Sequence, residues 1–144
     1  MEKITEHFTL KELTKSNTAT RLGINNTPTD EHLANLVKLC KEVLEPIRMK
    51  YGKPIMVNSA YRSVALNKAV GGVKNSQHLN GGAADIEAMD GDNAKLFNII
   101  KEMIENKELR VGQLIWEYGT KKQPNWIHVS IPYSKINNIL YLYS

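Results

Sequence analysis

Cysteine is almost absent from this chain: Cys40 is the single one in 144 residues. One thiol cannot close an internal disulfide, so a stapled framework is excluded, and a closed structural zinc site, which usually draws on several cysteines, has at most this one to use. Cys40 falls at a core position of a helical pattern and reads as a small buried hydrophobe. Long apolar runs are missing too. No window approaches the roughly 18 apolar residues of a membrane span. Met1-Glu2-Lys3-Ile4-Thr5-Glu6 carries acidic residues and no apolar stretch that could serve as a signal peptide, so cytoplasmic synthesis is expected, and action outside the cell would need release by lysis or another route. An excess of one charge is also modest. Nineteen Lys+Arg against fifteen Asp+Glu leave +4, enough to favour approach to an anionic polymer without naming it. The basic residues are scattered, and aromatics that would stack bases are not interleaved with them, so no nucleic-acid partner is expected.

What is present describes a globular domain. Hydrophobic residues make up 42% and charged residues 24%, which excludes a disordered tail, a collagen-like repeat and a coiled coil. A chain of this length fits one domain, residues 1–144, because halves would be too small to bury independent cores. A monomer is the default expectation for it. Five of the nine glycines lie between Gly71 and Gly91, so the permissive backbone is concentrated in one stretch.

The elements follow from periodicity. Thr9 and Glu12 form a capping-box pattern for a short helix carrying Leu10 and Leu13 inward. After a loop from Arg21 to Thr27, Thr27-Pro28 starts the main core helix, with Leu33, Leu36, Val37, Cys40, Val43, Leu44 and Ile47 at helical spacing and a kink expected at Pro46. Ile55 to Val57 has strand character. Ser63 to Val70 reads as a short helix stopped by Gly71-Gly72, followed by a loop to Gly82. Ala83 to Ala88 reads as a strand, and Asp92 caps a helix with the stripe Leu96, Phe97, Ile100, Met103, Ile104. Gln113 to Tyr118 and Trp126 to Ile131 are two further strands; Tyr133 to Ser144 is ambiguous between helix and strand. Irregular mixing of helices and short strands predicts an α+β fold with a small, mainly antiparallel sheet.

Of the four histidines, His7 and His32 sit in ordinary segments with no acidic or histidine partner at ligand spacing and read as structural. His78 belongs to Ser76-Gln77-His78-Leu79-Asn80-Gly81-Gly82-Ala83-Ala84-Asp85, where paired glycines permit a sharp reversal that brings an imidazole and a carboxylate together. Strand alternation in Trp126-Ile127-His128-Val129-Ser130 turns Trp126, His128 and Ser130 away from the core. Two His and one Asp would leave the fourth position of a tetrahedral Zn²⁺ open, as in catalytic sites. Spacing alone leaves a hydrogen-bonded loop histidine as an equal alternative.

Ser76-x-His78-x-x-Gly81-x-Ala83-x-Asp85, followed by Trp126-x-His128-x-Ser130 and preceded by Ser59-Ala60-Tyr61-Arg62-Ser63, resembles the zinc D-Ala-D-Ala carboxypeptidase family of the Hedgehog/DD-peptidase fold. The similarity covers most of the chain. Phe8 to Leu13 and the turn Gly23-Ile24-Asn25-Asn26 resemble compact single-domain members of phages and prophages. The resemblance implies one Zn²⁺ per chain held by His78, Asp85 and His128, and an Arg62 that stabilises the oxyanion or holds a substrate carboxylate. It implies a peptidoglycan stem peptide as substrate, with Ser76, Tyr61 and Trp126 as candidate binding residues.

The chain departs from the family in one place. Several members carry an acidic residue three positions before the last histidine, and here that residue is Asn125, which cannot act as a base. Glu117, at the end of the neighbouring strand and on the face opposite Leu114, Trp116 and Tyr118, is the best substitute as general base. Glu87, sharing a strand face with Asp85, is a weaker candidate. Two readings result: a zinc peptidase acting as carboxypeptidase or endolysin-type endopeptidase, or an inactive zinc-stabilised module that binds the cell wall.

Overall fold

Thr9 opens the first helix as its spacing to Glu12 predicts: its hydroxyl accepts from the Glu12 N–H while the Glu12 carboxylate accepts from the Thr9 N–H. The protein is described by a computed structural model covering residues 3–132 and 136–143. A two-stranded hairpin, β1 (Lys3–Thr5) and β2 (Phe8–Thr9), leads into α1 (Leu10–Thr14). The segment expected as a loop from Arg21 begins inside a further helix, α2 (Asn17–Leu22), capped by Ser16 and closed by Gly23 at φ +67°. Only Ala19 of α2 is buried, so it has no apolar stripe from which periodicity could have found it.

The main core helix starts slightly later than Thr27-Pro28, with Thr29 capping α3 (Asp30–Leu39). It runs through a π turn, Cys40–Leu44, into α4 (Glu45–Tyr51). There the Glu45 N–H reaches the Cys40 carbonyl. Proline has no N–H and its ring presses on the carbonyl four residues back, and the expected disturbance at Pro46 takes the form of this widened turn, with Pro46 in the first turn of α4. Then come β3 (Ile55–Ser59), α5 (Val64–Ala69) capped by Ser63, a 3₁₀ turn Gln77–Asn80, β4 (Ala83–Ala88) and α6 (Asn93–Glu105) capped by Asp92. Strands β5 (Gln113–Glu117), β6 (Trp126–Ser130) and β7 (Asn138–Leu142) complete the chain. The ambiguous C-terminal segment thus contains a strand; its residues 133–135 and 144 lie outside the described residues.

The fold is α+β. Its larger sheet has the order β3-β4-β6-β5-β7, with three antiparallel pairings and one parallel pairing, β5 with β7. Alternation divides this sheet into two faces. Ala84, Ile86, Leu114, Trp116, Ile127 and Val129 join Leu36, Leu39, Val43, Ile47, Phe97 and Ile100 from the helices in one buried cluster. The other face carries Asp85, Ile115, Glu117, Trp126 and His128. Among the described residues no helix is long and apolar enough to cross a membrane.

Candidate metal centre

Register makes the first half of the site. Asp85 of β4 lies directly opposite His128 of β6, and His128 directly opposite Ile115 of β5, so both ligand candidates stand side by side on the open face. His78 arrives from the 3₁₀ turn. The Ser76 hydroxyl caps that turn by accepting from the His78 N–H at 3.2 Å, Gly81 closes it at φ +81°, and Asn35 donates to the Asn80 carbonyl at 2.8 Å, pinning it to α3. The glycine-dense stretch therefore performs the reversal that its composition suggested.

His78, Asp85 and His128 present donor atoms that all lie within 4.8 Å of one another. Asp85 Oδ2 is 3.4 Å from His78 Nε2, and Asp85 Oδ1 is 3.0 Å from His128 Nδ1. Ligands about 2.0–2.2 Å from a tetrahedral zinc stand about 3.3–3.5 Å apart, so the spacing is of the right size. The tautomer of His78 also fits. Its Nδ1 contacts the Ala60 carbonyl at 2.7 Å; a carbonyl only accepts, so Nδ1 carries the proton and Nε2 offers its lone pair to the cluster, as oriented metal ligands do. Three ligands of this kind suit a metal with an open position.

Electrostatics agree. Burial by itself would raise the Asp85 carboxyl, but the adjoining His128 and His78 rings, as donors and positive charges when protonated, outweigh it and hold the group well below the usual carboxylate range, so it is a charged ligand at neutral pH. Arg62 Nη2 lies 3.6 Å from Asp85 Oδ2. Its guanidinium also donates from Nε to Ser59 Oγ at 3.2 Å and from Nη1 to Asn67 Oδ1 at 3.0 Å. Burial lowers the Arg62 pKa, and the Asp85 charge partly offsets that. The triad opens into a cleft of about 390 Å³ lined by Arg62, Ser76, Glu117, Tyr118 and Trp126 among others.

Glu117 faces this cleft from β5, opposite Trp126 in register. Its carboxylate has no hydrogen-bond or ion-pair partner among the described residues. Burial, with the nearby Asp85 charge, raises its pKa, while His128 acts in the opposite sense. Asn125 is exposed and contributes its backbone N–H to the Glu117 carbonyl at 3.0 Å. Glu87 is engaged elsewhere, accepting from Asn58 at 2.7 Å and from Asn93 at 3.4 Å. Tyr61 is not brought to the cleft. It is 5% exposed, its ring 5.5 Å from that of His32, and it borders a separate pocket with Lys15 and Asn17. His7, which lacked a partner in sequence, meets Glu45 at 2.6 Å, far from the triad in the chain.

Two residues of the site, one supporting Arg62 and one lining the cleft, were not legible in sequence. Asn67, nearly buried in α5, holds Arg62 through Oδ1 and donates from Nδ2 to the Val73 carbonyl at 3.0 Å. Nothing in its sequence neighbourhood marks it. Tyr118, which alternation assigns to the core face with Leu114 and Trp116, instead lines the cleft. Its φ of +57° ends the strand and turns the side chain back across the sheet plane; the following Gly119 was the available signal of a turn.

Comparison with known proteins agrees with this geometry. A family model described as peptidase M15 matches residues 6–130. The zinc D-Ala-D-Ala carboxypeptidase of Streptomyces albus G is 41% identical over 83 residues, which cover 57% of this chain and 31% of that protein. The chain thus spans about a third of the length of this relative.

Proposed function

The chain belongs to the peptidase M15 family, and on that footing we propose that residues 1–144 act as one zinc-dependent catalytic domain, a monomer, hydrolysing a peptide bond in peptidoglycan stem peptides. The observation that carries this reading is the His78–Asp85–His128 cluster opening onto a cleft that holds an unpartnered glutamate. These three residues would hold the ion, one per chain. Bound there, Zn²⁺ supplies Lewis-acid polarisation of the peptide carbonyl and acidification of a water molecule.

The chain's own residues do the rest. The Glu117 carboxylate takes a proton from the attacking water as its oxygen bonds to the carbonyl carbon, and returns that proton to the amide nitrogen as the C–N bond breaks. Its raised pKa suits a group that must both accept and release a proton. Arg62 has five N–H donors, and its three contacts to Ser59, Asn67 and Asp85 leave two to meet the developing oxyanion or a substrate carboxylate. Ser76 orients His78 by capping its turn, and Ser76 and Trp126 both line the cleft where substrate would lie.

Mass spectrometry of defined muropeptides digested with and without a chelator tests the reading and identifies the bond, separating carboxypeptidase from endopeptidase of the endolysin type. Chelator-sensitive cleavage is expected; none at any metal loading would refute the enzyme. Retention on intact sacculi without released fragments would then favour the alternative prompted by Asn125, a zinc-stabilised wall-binding module. Glu117→Gln should keep its zinc and lose turnover by about 10²–10⁴-fold. Unchanged turnover would remove Glu117 from the mechanism.

A further inference from the structure

We infer that Tyr118 is a substrate-contacting residue: edge to face with Trp126, it forms an aromatic wall of the cleft that receives the aliphatic part of a peptide residue next to the scissile bond. This rests on the proposed peptidase reading for the nature of the ligand, and on the backbone for the rest.

Among the described residues, three other than glycine have positive φ: Lys107, Tyr118 and Asn137. Lys107 follows the end of α6, and asparagine is among the residues that tolerate this region. Tyr118 is different. A bulky side chain in the left-handed region costs about 1–2 kcal/mol, and the pair Tyr118-Gly119, both at positive φ, opens the loop between β5 and β6, where glycine or asparagine would take that backbone at less cost. The edge-to-face contact of the Tyr118 ring with Trp126, about 0.5–1.5 kcal/mol, offsets part of that cost. The residue is 43% exposed, and its hydroxyl has no hydrogen-bond partner among the described residues. The backbone is held by the Tyr118 N–H, which donates to the Leu142 carbonyl at 2.6 Å. A strained backbone that places a partly exposed aromatic ring in the cleft lining marks a functional position.

The conformation has a definite consequence. In an extended strand residue 118 would follow Trp116 onto the core face; the left-handed turn delivers the ring to the other side, with its centroid 5.4 Å from that of Trp126 and the planes at 73°. The wall lies one step beyond the Glu117–Trp126 pair, on the side away from Ser130, so it flanks the site of proton transfer. Two amphipathic rings at the mouth of a polar cleft offer apolar contact area at little entropic cost.

Substitution by residues better suited to the backbone separates the two roles. Tyr118→Asn and Tyr118→Gly should melt close to the wild-type temperature, because relief of the left-handed strain offsets the lost contact with Trp126. They should nonetheless bind a defined stem pentapeptide about tenfold more weakly by calorimetric titration. Tyr118→Phe should bind within about twofold of wild type, since the ring and not the hydroxyl makes the wall. Wild-type affinity in both strain-relieving variants, or no pentapeptide binding by the wild type, would overturn the inference. Chelator-sensitive cleavage, followed in parallel, reports on the peptidase separately. Tyr118-dependent binding without cleavage removes the peptidase and keeps the wall, whereas cleavage with both variants unimpaired removes the wall and keeps the peptidase.

Discussion

Replacing Asn67 by alanine should damage the site without touching any residue that meets the metal or the scissile bond. Asn67 is 5% exposed and spends both ends of its amide: Oδ1 accepts from Arg62 Nη1 at 3.0 Å, and Nδ2 donates to the Val73 carbonyl at 3.0 Å. A hydrogen bond to a charged group contributes about 1.5–3 kcal/mol and a neutral one about 1 kcal/mol. The Val73 carbonyl sits in an exposed stretch where water can replace the lost donor, so most of the cost falls on the half-buried guanidinium. A loss of about 2–4 kcal/mol follows, and at about 3 °C per kcal/mol for a chain of this size the melting temperature should fall by about 6–12 °C. Arg62 would keep only Ser59 and Asp85 as anchors, and kcat should drop with KM little changed. Asn67→Asp restores an acceptor for Arg62 but no donor for Val73, so it should recover turnover more than stability. Gly72→Ala should reproduce the alanine variant from the other side, because an added Cβ would overlap Asn67 Oδ1 and stand 2.8 Å from Arg62 Nη1. Calorimetry and steady-state kinetics on metal-saturated protein read all three. An Asn67→Ala variant that melts within about 2 °C of wild type with unchanged kcat would refute the clamp.

His78→Ala should lose stoichiometric zinc by atomic absorption while His32→Ala keeps it; equal zinc in both would undo the assignment of the site. Glu45 is partly buried, which would raise its pKa, but bonds from the His7 ring and backbone lower it. A depressed pKa stabilises the fold above the ordinary carboxylate value and loses that contribution as pH falls through and below it. Glu45→Gln should therefore be about 1–3 kcal/mol less stable than wild type at pH 7, with the gap closing below about pH 4. A gap independent of pH in denaturant titrations would contradict this. Cys40 is fully buried and its thiol is pushed up to about 12, so iodoacetamide should leave it unmodified in the native protein at pH 8 and label it in denaturant. Rapid native labelling would show that the π turn opens.

Much of the fold was legible because its signals are local. The Thr9–Glu12 box, the Asp92 cap, the helical stripe from Leu36 to Ile47 and the strand Ala83–Ala88 each arise from neighbours in the chain. The helix Asn17–Leu22 escaped because it buries one side chain, and β7 because a strand at the sheet edge need not alternate strictly; its residues are half-buried or exposed throughout. The parallel pairing of β5 with β7 joins residues that share no local pattern.

The site divides along the same line. Residue chemistry within the chain determined which groups are available: two histidines and an aspartate in a glycine-permitted reversal and a strand, no cysteine to close a structural site, and no acid at position 125. Whether those groups meet is a matter of register and of long-range closure, and only the tertiary structure decided it. Asp85 faces His128 because β4 and β6 pair in that register, and His78 joins them because the Ala60 carbonyl fixes its ring. The same structure set Glu117 free in the cleft, tied up Glu87, withdrew Tyr61 to the His32 side and turned Tyr118 inward. Each of those outcomes depends on partners distant in sequence or on one backbone torsion, and neither is written in the spacing of residues along a strand.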